Sequence, residues 1–163
     1  MKKTSGGLVL YKEDPENNEL FVLVAHPGGP FFKNKDDGWW SIPKGEPEPN
    51  EDIFLAALRE FEEETGMPPS GPFLDLGSIV QNNGKIVFAW AFEGDWEDSR
   101  TLVCNKISME YPKGSGKIWE FPEIDRVAFL PIENAKEKLR PQQVPLLERL
   151  MEKVSLAKDS RAS

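Results

Sequence analysis

Residues 45–67 read GEPEPNEDIFLAALREFEEETGM, a glycine- and proline-rich loop that runs into a helix and stops at a glycine. Asn50 is expected to cap a helix from about Glu51 to Thr65, with Pro49 just outside it, and Gly66 suits the left-handed position that ends helices. At about 100° per residue, Glu60, Glu63 and Glu64 fall within roughly 100° of one another and share a face. Phe54, Leu58 and Phe61 cluster roughly 130° away, on the side expected to meet a core. Ala56 and Ala57 are expected to leave space on the carboxylate side, and Glu62 points to solvent.

Such a helix is electrostatically disfavoured by itself. Acids in the last turns oppose the macrodipole by ~0.3–1 kcal/mol each, and like charges three or four residues apart add a few tenths more per pair. A sequence selected for stability alone would place lysines there. A run of glutamates is ordinarily a solvated face. Here three carboxylates converge one turn from the helix end, which points to a hard divalent cation shared between carboxylates and substrate phosphates.

The flanking sequence alternates strand and helix patterns without an internal repeat. SGGLVLYK and ELFVLVAH read as strands joined by EDPENN, and LDLGSIVQ and KIVFAWAF as strands around the turn-forming Asn83-Gly84. The loop HPGGPFFKNKDDGWWSIPKGEPEP is long enough to be functional or disordered, and its aromatics favour order. Residues 93–123 read as irregular, DRVAFL as a strand, and Glu133–Leu139 and Gln142–Val154 as helical. This mixture predicts an α/β (α+β) class: one domain over 1–155, a mixed sheet with helices packed against it, and a tail at 156–163 expected to fray.

Composition narrows the function. A net charge of −8 argues against a basic stripe that neutralises phosphates, so a nucleic-acid partner is not expected, and an anionic substrate needs a cation between it and the protein. The lone cysteine, Cys104, has no partner within the chain. MKKTSGGLVLYKED is not expected to be a cleavable signal, and no apolar run approaches the ~20 residues of a membrane span. A soluble protein of a reducing compartment, the cytoplasm, is expected.

The spacing within 45–67 completes the reading: Gly45, five residues, Glu51, seven residues, then Arg59, Glu60, Phe61, Glu62, Glu63, Glu64, Thr65, Gly66, Met67. This resembles the signature of the Nudix hydrolases at every fixed position, with Phe61 standing where an aliphatic residue is commoner. The resemblance implies an α/β/α sandwich whose loop-helix box holds Mg²⁺ or Mn²⁺. It implies Glu60, Glu63 and Glu64 as metal ligands, with a further contribution from the Gly45 carbonyl. Arg59 would orient a glutamate by a charge-assisted hydrogen bond, and Glu51 would have a structural or supporting role. PEIDRVAF resembles the stretch from which many of these enzymes take a further ligand or base, which puts Glu123 forward with Glu120 as its rival; Glu63 or Glu64 would otherwise take the proton.

The resemblance thus implies a metal-dependent hydrolase cleaving a diphosphate linkage of a nucleoside polyphosphate, either a dinucleoside polyphosphate or a nucleoside triphosphate, including an oxidised one. Removal of pyrophosphate from RNA 5′ ends and a non-catalytic ligand sensor are the alternatives; a sensor would usually have lost box carboxylates, and all are present. The long loop resembles that of bacterial Nudix proteins assigned as nucleoside triphosphate pyrophosphohydrolases, and SIPKGE the box entrance of the diadenosine polyphosphate hydrolases. QNNGK lacks the tyrosine of that dinucleotide group and the proline of the ADP-ribose pyrophosphatases, so the subfamily stays open. Lys44 reads as a phosphate contact or a solvated lysine. Trp40 or Trp39 reads as a stacking wall, the other as core, since neighbours in an extended chain face opposite ways. His26 reads as a structural hydrogen-bonder or a phosphate contact.

Overall fold

The structure, a computed structural model, describes residues 3–97 and 106–162; Cys104 lies outside them. β1 (Thr4–Glu13) alternates Leu8 and Leu10 on one face with Val9 and Tyr11 on the other. A chain with apolar side chains on both faces must be covered from both sides. β1 is accordingly the centre of a mixed sheet of order β4-β5-β1-β2-β8. β2 (Leu20–Pro27) is antiparallel to β1, β5 (Ile86–Glu93) parallel to it, and β4 (Phe73–Val80) and β8 (Ile124–Pro131) close the two edges antiparallel to their neighbours. The short β3 (Lys44–Gly45) pairs with the start of β1, Gly7 opposite Lys44 and Gly6 opposite Gly45.

The helices take the two faces. α1 (Ile53–Thr65) lies over Leu8, Leu10, Leu23 and Phe92, with Phe61 fully buried between them. α2 (Ile132–Lys138), a 3-10 turn (Pro141–Gln143) and α3 (Val144–Ala162) cover Val9, Val22, Val24 and Val87. The α/β/α sandwich is therefore present. No described helix is long and apolar enough to cross a membrane.

Local readings needed revision. α1 is capped by Asp52, whose side chain accepts from the Phe54 amide at 3.1 Å, while Asn50 adopts a positive φ of 66° in the loop before it. Both residues are good caps; the turn at Asn50 carries the chain past the first and onto the second. Gly66 ends the helix as expected, at φ 77°. Ala56 and Ala57 open no space: both are fully buried, and their small side chains let the helix lie close on the sheet. The stretch read as irregular contains a hairpin, β6 (Lys106–Glu110) with β7 (Ile118–Pro122), in which Ile107 faces Phe121 and Met109 faces Trp119. Its strands are solvent-exposed almost throughout and so carry little of the alternation that marks a half-buried strand. α3 is helical across the segment expected to fray, as far as Ala162.

Candidate active site

The site is built where β3, α1 and the start of β8 meet. A Cβ added to Gly45 would lie 2.1 Å from Cδ of Glu60, so only glycine lets the loop pass directly over that carboxylate. Behind it, Arg59 uses all of its guanidinium donors. Nε and one terminal nitrogen grip Glu51 at 2.9 and 2.8 Å, the other reaches Glu60 at 2.9 Å and Glu63 at 3.1 Å, and the Glu46 carbonyl takes the last bond at 3.2 Å. The clasp welds loop to helix. It also holds the Glu51 carboxyl down at about 2, first through the Arg59 bond and then through the Glu48 amide.

Three other carboxylates converge. Oxygens of Glu60, Glu64 and Glu123 lie within 4.8 Å of one another. Burial, then the charges of Glu123 and Glu60, push the Glu64 carboxyl well above its ordinary range. Burial also raises Glu60, which Arg59 only partly opposes, and raises Glu123, to which Glu63 adds. Oε2 of Glu64 is buried with no hydrogen-bond partner among the described residues. A buried carboxylate oxygen left in this state is costly unless neutralised or paired. Hard oxygen donors, an orphaned lone pair and a surplus of negative charge suit a hard divalent cation.

Of the glutamates put forward as ligands, Glu60, Glu64 and Glu123 converge. Glu63 is not a member of the converging group; its carboxylate turns back to Arg59 at i,i+4. Face-sharing on a helical wheel could not separate the two, since Arg59 lies within reach of Glu63 and not of Glu64. Glu123 takes the third place. It sits between β7 and β8, its carbonyl fixed by the Gly28 amide at 2.9 Å. Glu120, the rival, is exposed on the hairpin and faces Lys106 at 3.6 Å.

A cleft of about 160 Å³ opens beside the group, walled by Trp39, Ile42, Lys44, Arg140 and Ile124 around Glu64 and Glu123. A larger cavity of about 330 Å³ lies across the molecule between Glu13, Leu20 and Met151, away from every box residue. Lys44 is at the cleft as expected. Trp40 is not: it is 5% exposed, its indole N–H donates to Asp36 at 2.8 Å, and it packs edge-on against His26. The aromatic wall is Trp39, pointing the opposite way and carrying the Arg140 guanidinium 5.4 Å from its ring centre. His26 is likewise no phosphate contact. It is fully buried, with Nδ1 2.8 Å from Asp125 and Nε2 2.6 Å from the Lys35 carbonyl, and ties β8 to the aromatic loop.

Gln143 carries no signal in the sequence. Fully buried, it accepts from the Ile42 amide at 2.9 Å and donates to Ser41 Oγ and Gln81 Oε1, both at 3.0 Å, which fixes the strand delivering Lys44.

Solved structures share the architecture. The Caenorhabditis elegans Ap4A hydrolase binary complex superposes with a TM-score of 0.65 at 18% identity, over 93% of this chain and 98% of that one. The NUDIX domain of Shewanella oneidensis NrtR, complexed with ADP ribose, gives 0.65 at 15% identity over 94% and 89%. Among curated proteins, an RNA pyrophosphohydrolase of Rhodopseudomonas palustris is 24% identical over 148 residues, 85% of this chain and 86% of that protein. The mRNA-decapping protein g5R of African swine fever virus is 61% identical over 53 residues, 32% of this chain and 20% of that protein. Residues 2–150 match the NUDIX domain. With the box folded around its arginine and its carboxylates brought together, the chain belongs to the family of the NUDIX domain.

Proposed function

We propose that the chain is a divalent-metal-dependent pyrophosphohydrolase of nucleoside polyphosphates. The observation that supports this most is the orphaned Oε2 of Glu64 inside a group of converging carboxylates. Glu60, Glu64 and Glu123 would hold Mg²⁺ or Mn²⁺, with the Gly45 carbonyl beside them. Bound there, the ion would neutralise the diphosphate and sharpen the nucleophilicity of water.

The chain's own residues do the rest. Arg59 keeps Glu60 oriented without competing for Glu64, because its donors are all taken. Trp39, at the wall of the cleft, would lie beside the base. Lys44 and Arg140 meet the phosphates. Glu123, at the edge of the cleft, would take the proton of the attacking water. As that oxygen bonds to phosphorus, the bridging P–O bond breaks and its electron pair leaves with the departing phosphate.

A second reading, hydrolysis at the 5′ end of RNA, is supported by the likeness to the R. palustris RNA pyrophosphohydrolase. The net charge of −8 weighs against an extended RNA track.

The test is a chromatographic assay of nucleoside triphosphates, oxidised triphosphates and dinucleoside polyphosphates with Mg²⁺, with Mn²⁺ and with EDTA. Metal-dependent turnover of at least one substrate, abolished by EDTA, is expected. An inert protein throughout the panel contradicts the proposal.

A further inference from the structure

Lys44 and Arg140 belong to two lobes of unlike chemistry. The first is the cleft of Trp39, Glu64 and Glu123. The second, about 240 Å³, is lined by Asn82, Asn83, Lys85 and Gln142 together with Lys44 and Arg140. Its walls are rigidly made: Gln142 donates to Asn82 at 2.9 Å across the lobe, and Gln143 ties the neighbouring Gln81 to the strand entering Lys44.

Three features of this lobe point to a ligand and to its kind. Its lining has no aromatic or aliphatic side chain, so it offers a base nothing to stack on. Its neutral groups are the carboxamides of Asn82, Asn83 and Gln142, whose N–H groups can donate to phosphate oxygens. It also gathers three cations in a chain of net charge −8. Neither Lys44 nor Arg140 has an ion-pair partner among the described residues, and Lys85 has only the exposed Glu46 at 3.7 Å.

We propose that this polar lobe receives the free terminal phosphates of the substrate, which makes the chain an enzyme of uncapped 5′-polyphosphates rather than of dinucleoside polyphosphates. The proposal rests on the pyrophosphohydrolase reading above. The nucleoside lies against Trp39, the scissile linkage beside Glu64 and Glu123, and the departing phosphate or pyrophosphate between Lys85 and Arg140. Water supplies the oxygen for the new bond and its proton passes to a carboxylate, so the step needs no other reactant. A second nucleoside at the far end would have to enter the lobe or displace its phosphates. A free nucleotide and a 5′-triphosphorylated RNA end share this chemistry.

Steady-state kinetics with Mg²⁺ test it on ATP, GTP, the γ-methyl ester of ATP, diadenosine tetraphosphate and a 5′-triphosphorylated dinucleotide. The parent is compared with Lys85→Gln and Arg140→Gln; Lys85→Gln leaves the Arg140–Trp39 stack in place. Uncapped substrates are expected to exceed capped ones by about tenfold or more in kcat/KM. Lys85→Gln is expected to raise KM for uncapped substrates by about tenfold, with a smaller change in kcat and little effect on capped ones; Arg140→Gln, which also loses the Trp39 stack, is expected to weaken uncapped substrates more than capped ones. Whichever of free nucleotide and dinucleotide exceeds the capped compounds supports the proposal and identifies the source. Equal efficiency on diadenosine tetraphosphate or the methyl ester overturns it, as do variants that lower all substrates alike; the pyrophosphohydrolase reading survives both results. No turnover of any substrate overturns both.

Discussion

Glu51 and Glu64 come from the same short stretch and are driven in opposite directions. Glu51 accepts two bonds from Arg59 and one from the Glu48 amide, and its carboxyl is pulled down to about 2. Glu64 faces Glu60 and Glu123 from a buried position and is pushed well above the usual range. Glu63 goes with the first and Glu60 stands between them, one oxygen given to Arg59 while the carboxyl remains raised. The box therefore divides its acids into a closed set, satisfied by a guanidinium, and an open set that wants a cation from outside. The closed set is what allows the open set to exist, because it anchors the loop and helix against the repulsion that the open set creates.

The division is broken most severely at the open set. Glu123→Gln is expected to lower kcat by about 10²–10⁴-fold, and Glu120→Gln, on the exposed hairpin, to leave kcat unchanged; initial rates on the preferred substrate at saturating Mg²⁺ compare them. Arg59→Lys attacks the closed set. An ammonium cannot make the forked contacts, so urea unfolding is expected to show a loss of about 1–3 kcal/mol.

Subtler effects separate Glu63 from Glu64 in metal-free buffer. Glu64→Gln removes a buried, unpaired oxygen's charge and is expected to stabilise the fold by about 1–2 kcal/mol. Glu63→Gln weakens an Arg59 bond at a partly exposed site and is expected to destabilise by under about 1 kcal/mol. Thermal melts in EDTA measure both.

The smallest effect is a slope. Glu64 keeps its proton in the folded state to higher pH than in the unfolded state, where it is lost near 4.5. Its contribution to stability is therefore complete below that value and declines as pH rises through the folded value, then levels. Glu51 acts in reverse, contributing above 4.5 and losing that contribution as pH falls towards 2. Urea midpoints against pH should lose the first component in Glu64→Gln and retain the second.

Much of this is legible in the sequence. Spacing alone locates the box, and short apolar runs bounded by turn residues mark β1, β2, β4, β5 and β8. What escapes depends on contacts distant in the chain. Arg140 and Lys85 reach the cleft through folding back of the 3-10 turn and the β4–β5 turn, and no local pattern marks them. The two tryptophans differ only in parity, so which one is buried is decided by His26 and Asp36 rather than by their neighbours. The different placing of Glu63 and Glu64 escapes for a related reason: angle on a wheel records direction, whereas the contacts turn on which counter-charge each side chain meets.

The most direct measurement is calorimetric titration of Mn²⁺ into the metal-free protein, its Glu64→Gln variant and its Glu63→Gln variant, without substrate. Saturable binding by the parent, loss of at least about tenfold in affinity in Glu64→Gln and near-parental affinity in Glu63→Gln are the predicted results. A parent that takes up no Mn²⁺, or a Glu63→Gln variant impaired as severely as Glu64→Gln, would contradict the division between closed and open carboxylates.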